Sequence, residues 1–339
     1  MGTYGGLGPA ILATLWSLCG VAFTLVFLRA YAASRKHGKW RWDFIHIAVA
    51  FVTAALAGIF ITVGVDKGLG NYVKRLTYSQ IWDTFYWFYL AIYAGTISIA
   101  FSKFSVIALL LEVQEGSQKR KRKYALWAVG AVFGIASLLE VFLTAFQCKP
   151  LSKVWNLAED GTCPASKAAK AISYVHAATG GITDLILALW PISIVWNLQT
   201  AFRVKVGFCL LMAVGIVPAA AAFVRIQLLT RLHTAKDPTY ESGLFLLSAA
   251  VEAASLIILC SIPPLRPLFI RVIWGPPTLS TGTRTTHPTA TAASMGVLPR
   301  SHSLSVNNIG SSRAADDEEH GKADQAIVVS KAYKVEAEE

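Results

Sequence analysis

At 339 residues the chain is 54% hydrophobic and only 15% charged, with a mean hydropathy of +0.50. That is too much apolar material for a soluble domain of ordinary composition, and it points to a protein that crosses a membrane several times. A formal charge of +11 would suit nucleic acid, but the lysines and arginines fall in short runs between apolar spans, where they set topology, so nucleic acid is excluded as a partner.

The opening MGTYGGLGPA lacks the basic start and small-residue cleavage site of a secretory signal, so the first span is read as a retained anchor. Seven apolar segments of helix length follow, at 10–31, 44–65, 86–111, 124–146, 171–196, 206–230 and 243–270. Each reaches the ~20 residues a helix needs to cross the hydrocarbon core. The connections after the first and third spans, SRKHGKWRWD and GSQKRKRKY, are strongly basic, and the short one after the fifth carries Arg203 and Lys205. By the positive-inside rule those three lie in the cytosol. The alternate connections carry most of the loop acids, among them Asp66, Asp83, Glu159, Asp160, Asp237 and Glu241, and face outside or a lumen. The expected organisation is a short outer terminus (1–9), an all-α seven-helix membrane domain (10–274), and a disordered cytosolic tail (275–339) rich in Thr, Ser, Pro and Ala.

Cys148 and Cys163 bracket the fourth-to-fifth connection, CKPLSKVWNLAEDGTC, on the side assigned as oxidising, and are expected to form a disulfide. The remaining cysteines fall within spans and read as small apolar groups.

Charge inside the spans carries the functional signal. An ionised carboxylate against lipid costs at least about 2.5 kcal/mol, so Asp184 must face protein or water. Glu140, His176, Arg225 and Glu252 fall in the outer half of spans four to seven and are read as a polar cluster open to a ligand. Lys103 and Asp184 lie deeper, with Arg29 and Asp43 near the cytosolic surface, and together with Pro191 these are read as structural or switch residues. The simplest pairings are Arg225 with Glu252 or Glu140, and Lys103 with Asp184. Gly130 and Gly134 form a small-xxx-small face on the fourth span, and Pro263 and Pro264 are expected to break or bend the seventh.

Several pieces in order give the chain its resemblance. They are Arg29 and Tyr31 followed by Asp43; SKFSVIALLL with Lys103 and Ser105; Cys148, Pro150, Trp155, Gly161 and Cys163; Asp184 with Leu189-Trp190-Pro191-Ile192; Arg225; Asp237-Pro238-Thr239-Tyr240; and Glu252 with IPPLRPLF. Over 28–269 this resembles the fungal seven-helix membrane proteins that share the fungal rhodopsin domain, a family also named after a membrane protein of the satratoxin biosynthetic cluster. It departs at Ser248, where the family has tryptophan, and at VGVDKGLG after the second span. The resemblance implies a receptor-like protein of a fungal membrane. Some relatives carry a cysteine-rich outer domain proposed to sense surfaces; with nine residues before the first span, such a domain is not expected here.

Despite the family name, no lysine stands in the last span to form a retinal Schiff base, so photochemistry and a retinal partner are not expected. No metal-ligand spacing, diphosphate-binding acid cluster, nucleophile elbow or nucleotide loop is present, so no cofactor or metal is expected. The leading reading is a non-photochemical receptor whose small lipophilic ligand enters from the outer side. The alternative is a membrane enzyme or accessory protein of a secondary-metabolite pathway, followed by a transporter.

Overall fold

The computed structural model describes residues 6–35, 42–113, 120–156, 158–195 and 202–274, excepting the side chains at 35, 113, 191–195, 202–214 and 266–274. The expected tail, much of the basic loops and the residues before position 6 lie outside that set. Seven helices follow one another: α1 (Gly8–Arg35), α2 (Trp42–Lys67), α3 (Tyr78–Val113), α4 (Arg120–Ala145), α5 (Ser166–Val195), α6 (Phe202–Thr234) and α7 (Pro238–Trp274). All seven are long and apolar enough to span a bilayer. Where no water is available, every backbone donor and acceptor must be satisfied within the segment, and the helix does this for a single crossing. The chain is therefore a multi-pass integral membrane protein.

The helices outrun the apolar segments because interfacial residues extend and cap them. α3 begins at Tyr78, eight residues before the apolar run at 86. Thr77 and Gln80 supply the reason: Gln80 Oε1 accepts from the Thr77 backbone N–H and hydroxyl, both at 2.9 Å, the reciprocal part of a capping box. α2 ends in a Schellman motif, with Leu69 N–H donating to Gly64 O at 2.8 Å and Gly68 N–H to Val65 O at 3.1 Å. Gly68 holds φ 128°, which a side chain would resist. The VGVDKGLG segment is thus a helix stop. Gly70 continues it into a tie between helix ends, donating to Thr239 O at 3.0 Å and accepting from Leu7 N–H at 3.2 Å.

α3 and α7 form the centre of the bundle, with 61% and 56% of their spans buried, whereas α1 is peripheral at 17%. One apolar cluster, around Ile11, Val65, Leu69, Phe88 and Leu246, packs the end of the bundle that carries the disulfide loop. A second, around Phe44, Ile47, Leu126, Leu187 and Ile257, packs the far half. Ile99, Phe133 and Leu256 bridge α3, α4 and α7. The glycine face of α4 takes up α3: a Cβ on Gly130 would lie 3.0 Å from Ile107 Cδ1, and one on Gly134 2.9 Å from Phe104 Cζ. The opposite face exposes Val132, Ile135, Leu138 and Phe142, a belt that suits lipid.

Cys148 and Cys163 are disulfide-bonded. Lys149 and Thr162 exchange backbone hydrogen bonds beside the bridge at 2.8 and 3.0 Å, Ser152 Oγ donates to Glu159 Oε1 at 2.7 Å, and Lys153 Nζ reaches the Glu159 carbonyl. Trp155 packs edge-on against Tyr86 of α3, ring centroids 5.4 Å apart, which docks the loop on the bundle.

Of the break or bend expected at its prolines, α7 shows no break: it runs on through Pro263 and Pro264 to Trp274. Pro264 deprives the Cys260 carbonyl of its helical donor, and Arg29 Nη1 supplies one instead at 2.9 Å.

Candidate functional site

Two helical stripes bring the intramembrane polar groups together. On α5, Ser173, His176, Gly180, Thr183 and Asp184 recur at spacings of three and four residues and share one face. On α4 the buried face reads Leu126, Gly130, Phe133, Ser137, Glu140 and Thr144. These stripes face α3, α6 and α7, which deliver Lys103, Arg225 and Glu252.

Lys103 is completely enclosed. Its ammonium donates to Asp184 Oδ1 at 2.6 Å, to the Gly180 carbonyl at 2.7 Å and to Thr183 Oγ1 at 3.0 Å, so all three of its protons are accepted by α5. It also stands 4.4 Å from the centroid of the Phe133 ring. A charge-assisted bond at this depth links α3 to α5 with little competition from water.

Arg225 pairs with Glu252 rather than Glu140, Nη1 lying 2.9 Å from Glu252 Oε2. Glu252 is 0% exposed, so losing the arginine would strand its charge in the bundle. Gly180 joins the two ion pairs. Its carbonyl accepts from Lys103, while a Cβ there would lie 3.3 Å from Arg225 Nη2 and 3.5 Å from the Phe133 ring. Phe133 also stacks on His176 with centroids 5.2 Å apart, and His176 Nε2 lies 3.2 Å from Ser137 Oγ. Lys103, Asp184, Arg225, Glu252 and His176 therefore form one packed unit around Gly180 and Phe133.

Glu140 sits closer to the disulfide end. One oxygen accepts from Ser173 Oγ at 2.9 Å, and the other is buried without a hydrogen-bond partner. A cavity of about 30 Å³ adjoins it, lined by Glu140, Ser173, His176 and Arg225 together with α3 and α7 residues. Beside this lies an apolar cavity of about 50 Å³ among α1, α2, α3 and α7.

Arg29 and Asp43 belong to a separate node at the far end. Arg29 Nη2 bonds Asp43 Oδ2 at 2.5 Å, Ser105 Oγ donates to the Asp43 backbone carbonyl at 2.8 Å, and Ser105 Oγ lies 2.9 Å from Cys260 Sγ. The node ties α1, α2, α3 and α7. Pro191 lies within α5, and its side chain is outside the described set. Among the described residues no three His, Cys, Asp or Glu side chains gather as a metal site.

Single-residue reasoning about charge overlooked the neutral partners Ser173, Ser137, Thr183, Phe133 and Gly180, whereas Ser105 had stood out only in the family resemblance. The signal for most of them was the same helical spacing that places Glu140 and Asp184, since Ser137 precedes Glu140 by three residues and Ser173 precedes His176 by three.

Comparison with known proteins gives the family. Over 208 residues, 61% of this chain and 48% of the relative, it is 30% identical to a SAT4 family membrane protein of Emericella nidulans. The chain thus spans about half the length of that curated relative. No solved structure matches it. The family described as the fungal rhodopsin domain matches residues 28–271, which take in the last turns of α1, all of α2 to α6, nearly all of α7 and every member of both polar groups. The chain belongs to the fungal rhodopsin domain family.

Proposed function

We propose that the chain is a receptor-like, non-photochemical seven-helix protein that holds a small lipophilic ligand against Glu140, His176 and Arg225, with Glu252 fixing the arginine. The observation carrying this reading is the cavity of about 30 Å³ beside a carboxylate oxygen that has no hydrogen-bond partner. Buried polar atoms are normally satisfied, and an exception beside a cavity is a place where a ligand can complete the set. The seventh helix contains no lysine, which favours a ligand other than retinal.

In this reading the disulfide loop and the start of α1 face outside, and the basic connections and the tail face the cytosol. The disulfide and the charge bias both favour that orientation. The membrane is the plasma membrane or an endomembrane of a fungal cell. Lys103 and Asp184 then link the ligand-facing helices below the cavity and serve as the structural or switch element, with Arg29 and Asp43 as the second tie.

The test is complementation of a deletion strain with Glu140→Gln, Arg225→Gln and Glu252→Gln variants that reach normal abundance. Loss of a cellular response is the expected result; full rescue by all three would exclude a sensing role for the cluster. A second reading, a membrane enzyme or accessory protein of a secondary-metabolite pathway, draws on the same Glu140 carboxyl, which is placed to give a proton to a lipophilic substrate. It predicts that the deletion strain accumulates an intermediate that purified membranes convert.

A further inference from the structure

The two cavities adjoin. Ala91, Gly95, Leu246 and Ala249 line both, forming a shared wall on α3 and α7 in which all but Leu246 are small. Gly95 is the thinnest point, since a Cβ there would meet no atom within 4 Å. The apolar cavity is walled by alanine and glycine, including Ala54, Ala57, Gly58, Ala250 and Ala253. On its α1 and α2 side, Leu18, Cys19, Phe51 and Ala54 are only partly buried. Gly95 thus stands between the apolar cavity and the polar cavity at Glu140, with no side chain of its own to separate them.

We infer that this pair of cavities binds a lipophilic alcohol with an unbranched chain, taken from the bilayer and held with its hydroxyl at Glu140. The inference rests on the ligand-binding reading above and specifies both the ligand class and a lateral route. Volume supports a slender molecule: cavities of about 50 and 30 Å³ hold roughly three groups of water or methylene size. The hydroxyl and first carbons fill them, and the rest of the chain leaves between α1 and α2 into lipid. The head chemistry follows from the polar lining. The free Glu140 oxygen needs a donor, and Arg225 beside it offers donors of its own. A hydroxyl both donates and accepts. A carboxylate would face Glu140, and an ammonium would face Arg225.

The experiment uses the purified full chain in lipid nanodiscs and a dodecanol carrying a photoactivatable diazirine in its chain, with adducts mapped by peptide mass spectrometry. Adducts are expected on 18–22 of α1 and 51–58 of α2, competed by unlabelled 1-dodecanol and not by dodecanoic acid. Gly95→Leu, which fills the space between the cavities, is expected to lower them about tenfold. Glu140→Leu leaves that space open, removes the acceptor and is expected to lower them to a similar degree. Background labelling of the lipid-facing surface of α4, 132–142, serves as the internal reference and stays unchanged. Labelling spread equally over α4 and the α1 and α2 segments, equal competition by the acid, or adducts that survive both substitutions would overturn the inference. Adducts that behave as expected in a protein whose cluster variants retain every cellular response would instead remove the receptor reading and leave the binding site standing.

Discussion

Arg29 of α1 donates to the backbone carbonyl of Cys260 in α7 at 2.9 Å, four residues before Pro264, which has no N–H to offer that carbonyl. The same guanidinium holds Asp43 of α2, so one side chain repairs a proline gap and pins three helices. Arg29→Ala is expected to lower stability by about 3 kcal/mol by removing the buried guanidinium that holds Asp43 and the Cys260 carbonyl. Arg29→Lys should recover only part of this, because an ammonium cannot reproduce the fork. Adding Pro264→Ala to Arg29→Lys should return about 1 kcal/mol through the restored helical bond. Thermal unfolding of the purified full chain in detergent reads all three. A lysine variant as stable as wild type would show that the fork is dispensable.

The Lys103 to Asp184 pair is expected to behave as a buried ion pair whose members protect each other. Lys103→Met and Asp184→Leu singly should each lower stability by about 3 kcal/mol or more, and the double substitution should lose less than their sum. A double-mutant cycle on thermal unfolding measures the coupling. Strict additivity would mean that the 2.6 Å contact contributes nothing specific.

A Cβ on Gly180 would already lie 3.3 Å from Arg225 Nη2 and 3.5 Å from the Phe133 ring, so a leucine there must displace one of them. Gly180→Leu is expected to destabilise by about 1–3 kcal/mol through overpacking. Gly20, whose Cβ would meet nothing within 4 Å, provides the control: Gly20→Leu should be nearly neutral. Equal effects at the two sites would argue against close packing at Gly180.

The Cys148 to Cys163 disulfide closes a separation of 15 residues and should contribute about 3 kcal/mol. Alkylation before and after reduction should shift the mass of the peptides holding these two cysteines only after reduction. The Cys148→Ser and Cys163→Ser double variant should unfold at lower temperature. Wild type containing two free thiols at these positions would contradict the pairing.

Much of this arrangement is legible in the chain. Runs of apolar residues at 1.5 Å per residue must become helices in lipid, because the backbone has no other way to satisfy its polar groups, and that requirement acts on each segment alone. The disulfide follows from two cysteines bracketing one loop. Asp184, Glu140, Arg225 and Glu252 announce themselves because a charge in a span needs a reason wherever its partner stands. The true ends of α2 and α3 were written in Gly68 and in Thr77 with Gln80, signals that segment hydropathy passes over.

Pairing is a different matter. Arg225 could meet Glu252 or Glu140 by depth alone, and only the packing of α6 against α7 decides for Glu252. Pro263 and Pro264 read locally as a helix break or bend, yet α7 continues, and Arg29, 231 residues from Cys260 in the chain, gives the Cys260 carbonyl the donor that Pro264 lacks. The joined cavities likewise belong to no segment. Gly95, Ala249 and Cys19 are ordinary small residues until three helices set them around the same space. Length, composition and charge determine that the chain is a seven-helix membrane protein with buried polar groups. Which groups pair, and where space remains between them, is decided by helix packing, because contacts between distant segments depend on the rotation and depth of whole helices.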